Sequence, residues 1–317
     1  MPGGMAVGPS SAARLNKIPR PWAGDFMWLT PKFISRLEAL ELSIRWVRSG
    51  NKLGGRFPIN RRGSSIEFAD YAAYSAGDDI RSIDWNLYAR LERLFIKTYH
   101  EQIELSVEII IDATGSMGLP TPEKFERAKR LAVSLGYVGL AGRHHVRLSW
   151  VTPGRVTASP WFHRRSDLAR MAEQAQPLHA GGQVAFDEWM RRAAAFLRVH
   201  GGQAVVITDG MVPPAELFRA LHTLLVRNLE VKLIQVLTPQ ELHPARLLRG
   251  GLLVDVETGR THQLAHSPAE LERAVADHNE GLARFCKRQG IAFARHRLDE
   301  PLETFVLKTL PIYGFLE

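Results

Sequence analysis

The chain has 317 residues, of which 45% are hydrophobic and 23% are charged, the composition of an ordinary globular protein. Its single cysteine, Cys286, excludes an intrachain disulfide and indicates a reducing compartment. No apolar run approaches the roughly 20 residues that a membrane-spanning helix needs, and the first residues lack the apolar core of a signal peptide. We therefore predict a cytoplasmic protein.

The net charge of +8 is concentrated at the N-terminus. Residues 1–62 contain eleven Lys and Arg against three acidic residues, whereas residues 63–317 contain 30 of each. Such a basic segment can bind nucleic acid, an anionic membrane or an acidic protein surface, and an unspecialised solvated surface explains it equally well. Neither zinc-finger spacing nor an aromatic-basic RNA-binding signature is present. Nucleic-acid binding is therefore an alternative that rests on this segment alone.

The first 102 residues are predicted to be an extension of the main domain. Residues 1–25 contain Gly, Pro and Ser without periodicity, which is typical of a disordered or loosely attached segment. Apolar residues then recur at helical spacing from 31 to 49, which predicts an amphipathic helix. We assign residues 26–102 to a basic extension of helices and loops. Within it, we expect residues 64–102 to pack against the main domain, with Trp85 in the core.

From residue 103 to residue 317 the patterns of strand and helix alternate. Nearly continuous apolar runs predict strands buried on both faces, and the helices between them carry apolar residues on one face. This alternation predicts a doubly wound α/β domain, in which helices cover both faces of a mostly parallel sheet. The predicted strands are 105–111, 146–151, 204–208, 229–237 and 291–296; the predicted helices begin at Pro122 and Pro268 or span 166–175, 186–197 and 214–225; a hairpin is predicted at 252–264.

Two of the predicted strands are followed directly by a carboxylate, Asp112 and Asp209. In open parallel sheets, ligands collect at the carboxyl ends of the strands. Alternate positions on the loop after the first strand can direct Asp112, Thr114 and Ser116 at one point, and their oxygens suit a hard cation such as Mg²⁺. The sequence therefore predicts a magnesium site. With only two carboxylates in that site, the ion can accept an acidic ligand from a partner.

The motif at 112–116, together with Thr-Asp-Gly at 208–210, resembles the metal-ion-dependent adhesion site of von Willebrand factor A domains. The resemblance implies a third loop that provides a threonine, often after two glycines. In this chain the glycines at 181–182 are followed by Gln183, whose amide oxygen is the corresponding candidate ligand. Because the glutamine side chain is longer, we expect weak metal binding.

A longer resemblance lies upstream, in Glu-Phe-Ala-Asp-Tyr at 67–71, Gly-Asp-Asp-Ile-Arg-Ser-Ile-Asp-Trp at 77–85 and the segment 96–101. This block is similar to the family known as domain of unknown function 58, and the similarity extends over residues 50–310. It implies a von Willebrand factor A-like fold. Because members are typically encoded beside MoxR-type AAA+ ATPases, it also implies an adaptor role in a chaperone-like complex.

Enzymatic interpretations compete with the adaptor role. Residues 114–118 nearly match the Gly-x-Ser-x-Gly nucleophile elbow around Ser116, with His266 or His296 as the histidine, although Thr114 is larger than the elbow turn allows. A Mg²⁺-dependent hydrolase that uses the same strand-end carboxylates lacks an evident general base. No nucleotide-binding fingerprint is present, so ATPase activity is expected of a partner. We predict a non-catalytic interaction module.

Overall fold

A computed structural model describes ten segments of the chain, and they belong to two compact units. The larger unit is Met1–Asn51 with Ser106–Glu317, and the smaller is Lys52–Leu105. The predicted loose segment 1–25 and the predicted helix 186–197 lie outside the described residues. The described segments are 27–43, 66–75, 80–101, 104–152, 155–181, 202–227, 229–244, 252–254, 261–263 and 268–317.

Strands and helices alternate along most of the described chain. In chain order the strands are β1 (Ile66–Ala73), β2 (Phe95–Glu101), β3 (Ser106–Ile111), β4 (His145–Thr152), β5 (Arg155–Ala158), β6 (Gly202–Thr208), β7 (Leu229–Leu237), β8 (Leu252–Val254), β9 (Thr261–Gln263) and β10 (Ala292–Arg297). The helices used below are α1 (Pro31–Leu37), α2 (Trp85–Leu91), α3 (Glu123–Ala141), α4 (Leu168–Ala175), α5 (Pro214–Leu225), α6 (Pro239–Leu242) and α7 (Pro268–Gln289). No helix in these segments is long and apolar enough to cross a bilayer.

The sheet of the larger unit has six strands in the order β10-β7-β6-β3-β4-β5. Every neighbouring pair is parallel except β4 and β5, which are antiparallel. The predicted α/β fold with a mostly parallel sheet is therefore confirmed. The predicted hairpin at 252–264 is present as the antiparallel pair β8 and β9. Strand β5 was not predicted, because its four residues alternate polar and apolar side chains over too short a run.

Burial explains why these segments form strands and helices. All seven residues of β6 are buried, as a strand between two covered faces requires. Helix α3 buries the residues predicted to face inward, namely Phe125, Ala128, Leu131, Leu135 and Val138. Its first N–H groups include that of Glu123, which donates to the hydroxyl of Thr121 at 3.4 Å. The helix begins at Glu123, one residue after the predicted start at Pro122, and its apolar face lies on the sheet.

The helix predicted over residues 31–49 is shorter in the structure, because α1 ends at Leu37. Beyond it, Leu42 pairs antiparallel with Leu316 near the end of the chain. The buried ammonium of Lys232 donates to main-chain carbonyls of both segments and so ties them together. This long-range pairing replaces the local helical pattern. Helix α1 belongs to the larger unit, so the segment predicted as an extension of residues 26–102 is divided between the two units.

In the smaller unit, β1 and β2 form an antiparallel pair, and α2 lies between them in the sequence. Asp84 caps α2, since its carboxylate accepts from the N–H groups of Asn86 and Leu87 at 2.9 and 3.1 Å. The expectation that Trp85 lies in the core is wrong, because its side chain is 60% exposed. The core of this segment instead includes Ile83. The packing of residues 64–102 on the main domain stays a prediction.

Candidate functional site

Asp112 is the first residue after β3 and is almost completely buried. Its Oδ1 accepts hydrogen bonds from the N–H and the hydroxyl of Thr114, at 3.0 and 2.7 Å. Its Oδ2 accepts from the hydroxyl of Thr208, the last residue of β6, at 2.6 Å. Since β3 and β6 are neighbouring strands, the register of the sheet sets this second contact. The carboxylate is therefore held in one orientation.

The oxygens of Asp112, Thr114 and Ser116 form a row that leads from the interior towards the surface. The Oγ1 of Thr114 lies 2.7 Å from Asp112 Oδ1 and 3.1 Å from Ser116 Oγ. Adjacent ligands of an octahedral Mg²⁺ ion are about 2.9 Å apart, given Mg–O bonds of about 2.0 to 2.1 Å. These are ordinary hydrogen-bond distances, and they are also compatible with the ligand spacing on one side of a Mg²⁺ coordination shell. Ser116 is only half-buried and forms its outer end.

The charge of Asp112 is poorly compensated. Burial, and secondly the negative charge of Asp209, raise its pKa from 3.8 to about 6, against the opposing hydrogen bonds from Thr208 and Thr114. A carboxylate with a raised pKa is one whose ionised form is destabilised by its surroundings. A cation beside Asp112 would relieve this destabilisation. The raised pKa of Asp112 and the arrangement of the neighbouring oxygens are therefore both compatible with a bound cation.

Asp209 follows β6 and is also buried, but its carboxylate has partners within the protein. Its Oδ2 accepts from the ammonium of Lys124 at 3.0 Å, and its Oδ1 accepts from the N–H of Met211 at 3.0 Å. The side chain of Gln235 also donates to its main-chain carbonyl at 2.9 Å. The charge of Asp209 contributes to the raised pKa of Asp112, so the two carboxylates are near each other. The direct role of Asp209 as a metal ligand stays a prediction.

Lys124 was not among the predicted site residues. It is the second residue of α3, and its fully buried ammonium lies 3.0 Å from Asp209 and 2.6 Å from Glu241 on α6. Burial lowers the pKa of Lys124, but the charges of both carboxylates and its hydrogen bonds to them outweigh burial and raise the pKa above its usual value. The lysine is therefore charged at neutral pH. The other oxygen of Glu241 accepts from the N–H and hydroxyl of Thr238, which fixes the carboxylate.

The sequence does contain a signal for Lys124. It precedes Ala128, Leu131 and Leu135 at helical spacing and so falls on the buried face of α3. A lysine on the apolar face of an amphipathic helix needs a buried anion, because an uncompensated charge is costly there. The two strand-end carboxylates were the available candidates.

The start of the third predicted loop contacts the loop that follows β3. The N–H of Gly181 donates to the carbonyl of Ala113, between the first two residues of the motif, at 2.9 Å. Gln183 follows two residues later and lies outside the described residues. Its role as a ligand therefore stays a prediction. We call Asp112, Thr114, Ser116 and Asp209 the strand-end site.

Comparison with known proteins identifies the family. Residues 70–282 match the family model described as Protein of unknown function DUF58. The chain belongs to the DUF58 family. The uncharacterized protein Rv1480 of Mycobacterium tuberculosis is 25% identical to it over 280 residues, which is 85% of this chain and 86% of the relative.

Solved structures similar to this DUF58 chain include two relevant proteins. The conserved hypothetical protein BatB from Bacteroides thetaiotaomicron has 16% identity and a TM-score of 0.38, and the match covers 66% of this chain and 98% of that one. A von Willebrand factor type A protein from Catenulispora acidiphila has 17% identity and a TM-score of 0.37, over 69% of this chain and 43% of that one.

The donor set of this DUF58 protein determines which cation suits it. Within the described segments, no group of three or more His, Cys, Asp or Glu side chains is placed to hold a metal ion. A divalent ion would therefore depend on the hydroxyls of Thr114 and Ser116 together with the carboxylate of Asp112. Oxygen donors of this kind suit Mg²⁺ or Mn²⁺ and not softer metals.

The serine-hydrolase alternative requires a histidine near Ser116, and His296 on β10 is too far away. His296 is in β10, three strands from β3, which corresponds to about 14 Å at the usual strand spacing. Its ring contacts Phe305 and the guanidinium of Arg127. Burial, and then the charge of Arg127, lower its pKa to about 3. His296 therefore does not serve as the base for Ser116, and His266 lies outside the described residues.

Proposed function

We propose that this DUF58 protein is a non-catalytic interaction module, whose strand-end site binds an acidic group of a protein partner through a divalent cation. The observation that carries the proposal is the row of oxygens from Asp112 to Ser116, with spacings of 2.7 and 3.1 Å. The row begins at a buried, poorly compensated carboxylate and ends at a half-buried hydroxyl. A cation held there is reachable from solvent.

The chemistry of Mg²⁺ explains why a partner carboxylate completes such a site. Mg²⁺ takes six oxygen ligands and keeps several waters when few protein ligands are available. Asp112 is the one carboxylate in the row, and its donors are neutral, whereas Asp209 is paired with the charged ammonium of Lys124. A Mg²⁺ ion bound to this row would keep a positive charge and exchangeable waters. An Asp or Glu of a partner can replace one of those waters.

We propose a MoxR-type AAA+ ATPase as the partner and the cytoplasm as the location. The support for the partner is the family resemblance, which implies such an ATPase, and the lack of a nucleotide-binding fingerprint in this chain. The support for the location is the single cysteine, which indicates a reducing compartment. In this complex the DUF58 protein would act as the adaptor, and the ATPase would supply the energy. Magnesium is the proposed cofactor of the strand-end site.

Co-purification tests the proposed partner. Tagged wild type, Asp112→Ala and the control Glu173→Gln are purified from native extract in Mg²⁺, and bound proteins are identified by mass spectrometry. We expect a MoxR-type ATPase with wild type and with Glu173→Gln, which changes an exposed carboxylate on α4. Asp112→Ala should reduce its recovery by about 30-fold or more, as for the loss of a buried charged contact.

Two results would contradict the proposal. The first is recovery of no such ATPase with wild type. The second is equal recovery with Asp112→Ala, which would place the interface away from the strand-end site.

A further inference from the structure

We infer that Lys124 is the resident cation of the strand-end site. It pairs with Asp209 and Glu241, and it leaves Asp112, whose donors are all neutral, as the carboxylate for a divalent ion. This inference rests on the proposed cation binding at Asp112. It goes further because it explains why that binding should be weak without a partner. It also makes Lys124 the residue that tunes the affinity of the site.

The first argument is geometric. The ammonium of Lys124 lies within 3.0 Å of one oxygen on each of two carboxylates. The second oxygen of Asp209 accepts from the N–H of Met211, and the second oxygen of Glu241 accepts from Thr238. All four carboxylate oxygens therefore have donors in the protein. A divalent ion that used Asp209 Oδ2 directly would have to displace a charged ammonium, whereas at Asp112 it would compete only with neutral hydroxyl and N–H donors.

The second argument is the balance of charge. When all are ionised, three carboxylates and one ammonium give the group formed by Asp112, Asp209, Glu241 and Lys124 a net charge of −2. A divalent cation would neutralise this group. Without Lys124 the net charge would be −3, and the cation would be held more tightly. The lysine thus lowers the affinity for the ion, because the two positive charges repel each other.

The third argument is that Lys124 is anchored from three directions. It projects from α3, Asp209 directly follows β6, and Glu241 lies on the short helix α6. Lys124 is fully buried, so its charge is not screened by solvent. Lys129 on the same helix offers a contrast, since its ammonium contacts the carbonyls of Gln176 and Leu178 and the half-exposed carboxylate of Glu126. It has no contact with the strand-end carboxylates in the described structure.

Titration of the full chain with Mn²⁺ tests the inference, with electron paramagnetic resonance reporting the free ion. Mn²⁺ substitutes for Mg²⁺ because both prefer oxygen ligands. We expect Lys124→Met to bind Mn²⁺ about tenfold more tightly than wild type, or better. Glu241→Gln should bind more weakly, because it removes a negative charge, while a glutamine can still cap α6. Lys129→Met is the matched control and should bind as wild type does.

The outcomes separate this inference from the proposed function. Equal Mn²⁺ affinity in wild type, Lys124→Met and Glu241→Gln would overturn the role of Lys124 and leave cation binding in place. Absence of binding in every variant would overturn both. Binding by Lys124→Met alone would support the inference. If Lys124→Met does not fold, Glu241→Gln decides, and an affinity no lower than that of wild type overturns the inference.

Discussion

Replacing Lys124 with methionine is expected to lower the free energy of unfolding by about 3 to 5 kcal/mol, the usual cost of removing one partner from a buried ion pair. Methionine fills much of the same volume, so the loss is mainly electrostatic. Asp209 would keep its burial without its cation, and Glu241 would lose its contact at 2.6 Å. Urea unfolding of the full chain at neutral pH measures the difference.

Two controls separate this effect from the loss of any buried lysine. Lys129→Met removes hydrogen bonds to two carbonyls and an ion pair with Glu126, which is half-exposed, and should cost less, about 1 to 3 kcal/mol. Adding Asp209→Asn to Lys124→Met should restore part of the stability, since it removes the stranded charge. If Lys124→Met costs less than Lys129→Met, the ion pair does not carry the stability assigned to it.

Asp112→Asn is expected to stabilise the metal-free protein at neutral pH. The pKa of Asp112 is raised from 3.8 to about 6 in the folded state, by burial first and then by the charge of Asp209. Between these pH values the folded state binds more protons than the unfolded state, so stability falls as the pH rises from about 4 to 6. The difference of about two pKa units corresponds to up to about 3 kcal/mol above that range. Asparagine carries no charge and avoids this cost.

Urea unfolding in EDTA at several pH values tests whether Asp112→Asn raises the free energy of unfolding. The stability gained by Asp112→Asn should be small near pH 4 and should increase to a plateau above pH 6. Glu173→Gln should show no such trend, because that carboxylate is exposed. A variant that is less stable than wild type at every pH would show that the hydrogen bond from Thr208 outweighs the buried charge. If Asp112→Asn is more stable than wild type but no longer binds the cation, Asp112 is retained for binding at the expense of stability.

Much of the fold was predictable because burial on both faces leaves a clear trace in the sequence. Strand β7 and helix α5 have the predicted bounds, since apolar residues recur along the whole strand and a 3.6-residue periodicity persists through the helix. The end of α1 was not predictable in this way. The helical spacing continues through Leu40, but Leu42 pairs with Leu316, and no local pattern reports a partner so distant in the sequence.

The candidate site was predictable in part, namely in the position of its two strand-end carboxylates. Parallel neighbouring strands bring their carboxyl ends together, which is why Asp112 and Asp209 were expected to meet. The contact between Lys124 and Glu241 depends on how α3 packs and where α6 begins, and the sequence pattern specifies neither. In the smaller unit the sequence predicted burial where there is none. Trp85 was placed in the core because it is aromatic, but its side chain is exposed.

Mg²⁺-dependent binding of the purified ATPase partner tests the central claim most directly. Wild type, Asp112→Ala and Glu173→Gln are titrated with the ATPase in Mg²⁺ and in EDTA. We expect Mg²⁺ to tighten binding by wild type and by Glu173→Gln, and to have no effect on Asp112→Ala. Equal binding by wild type and Asp112→Ala, with and without Mg²⁺, would contradict the claim that the strand-end site is the interface.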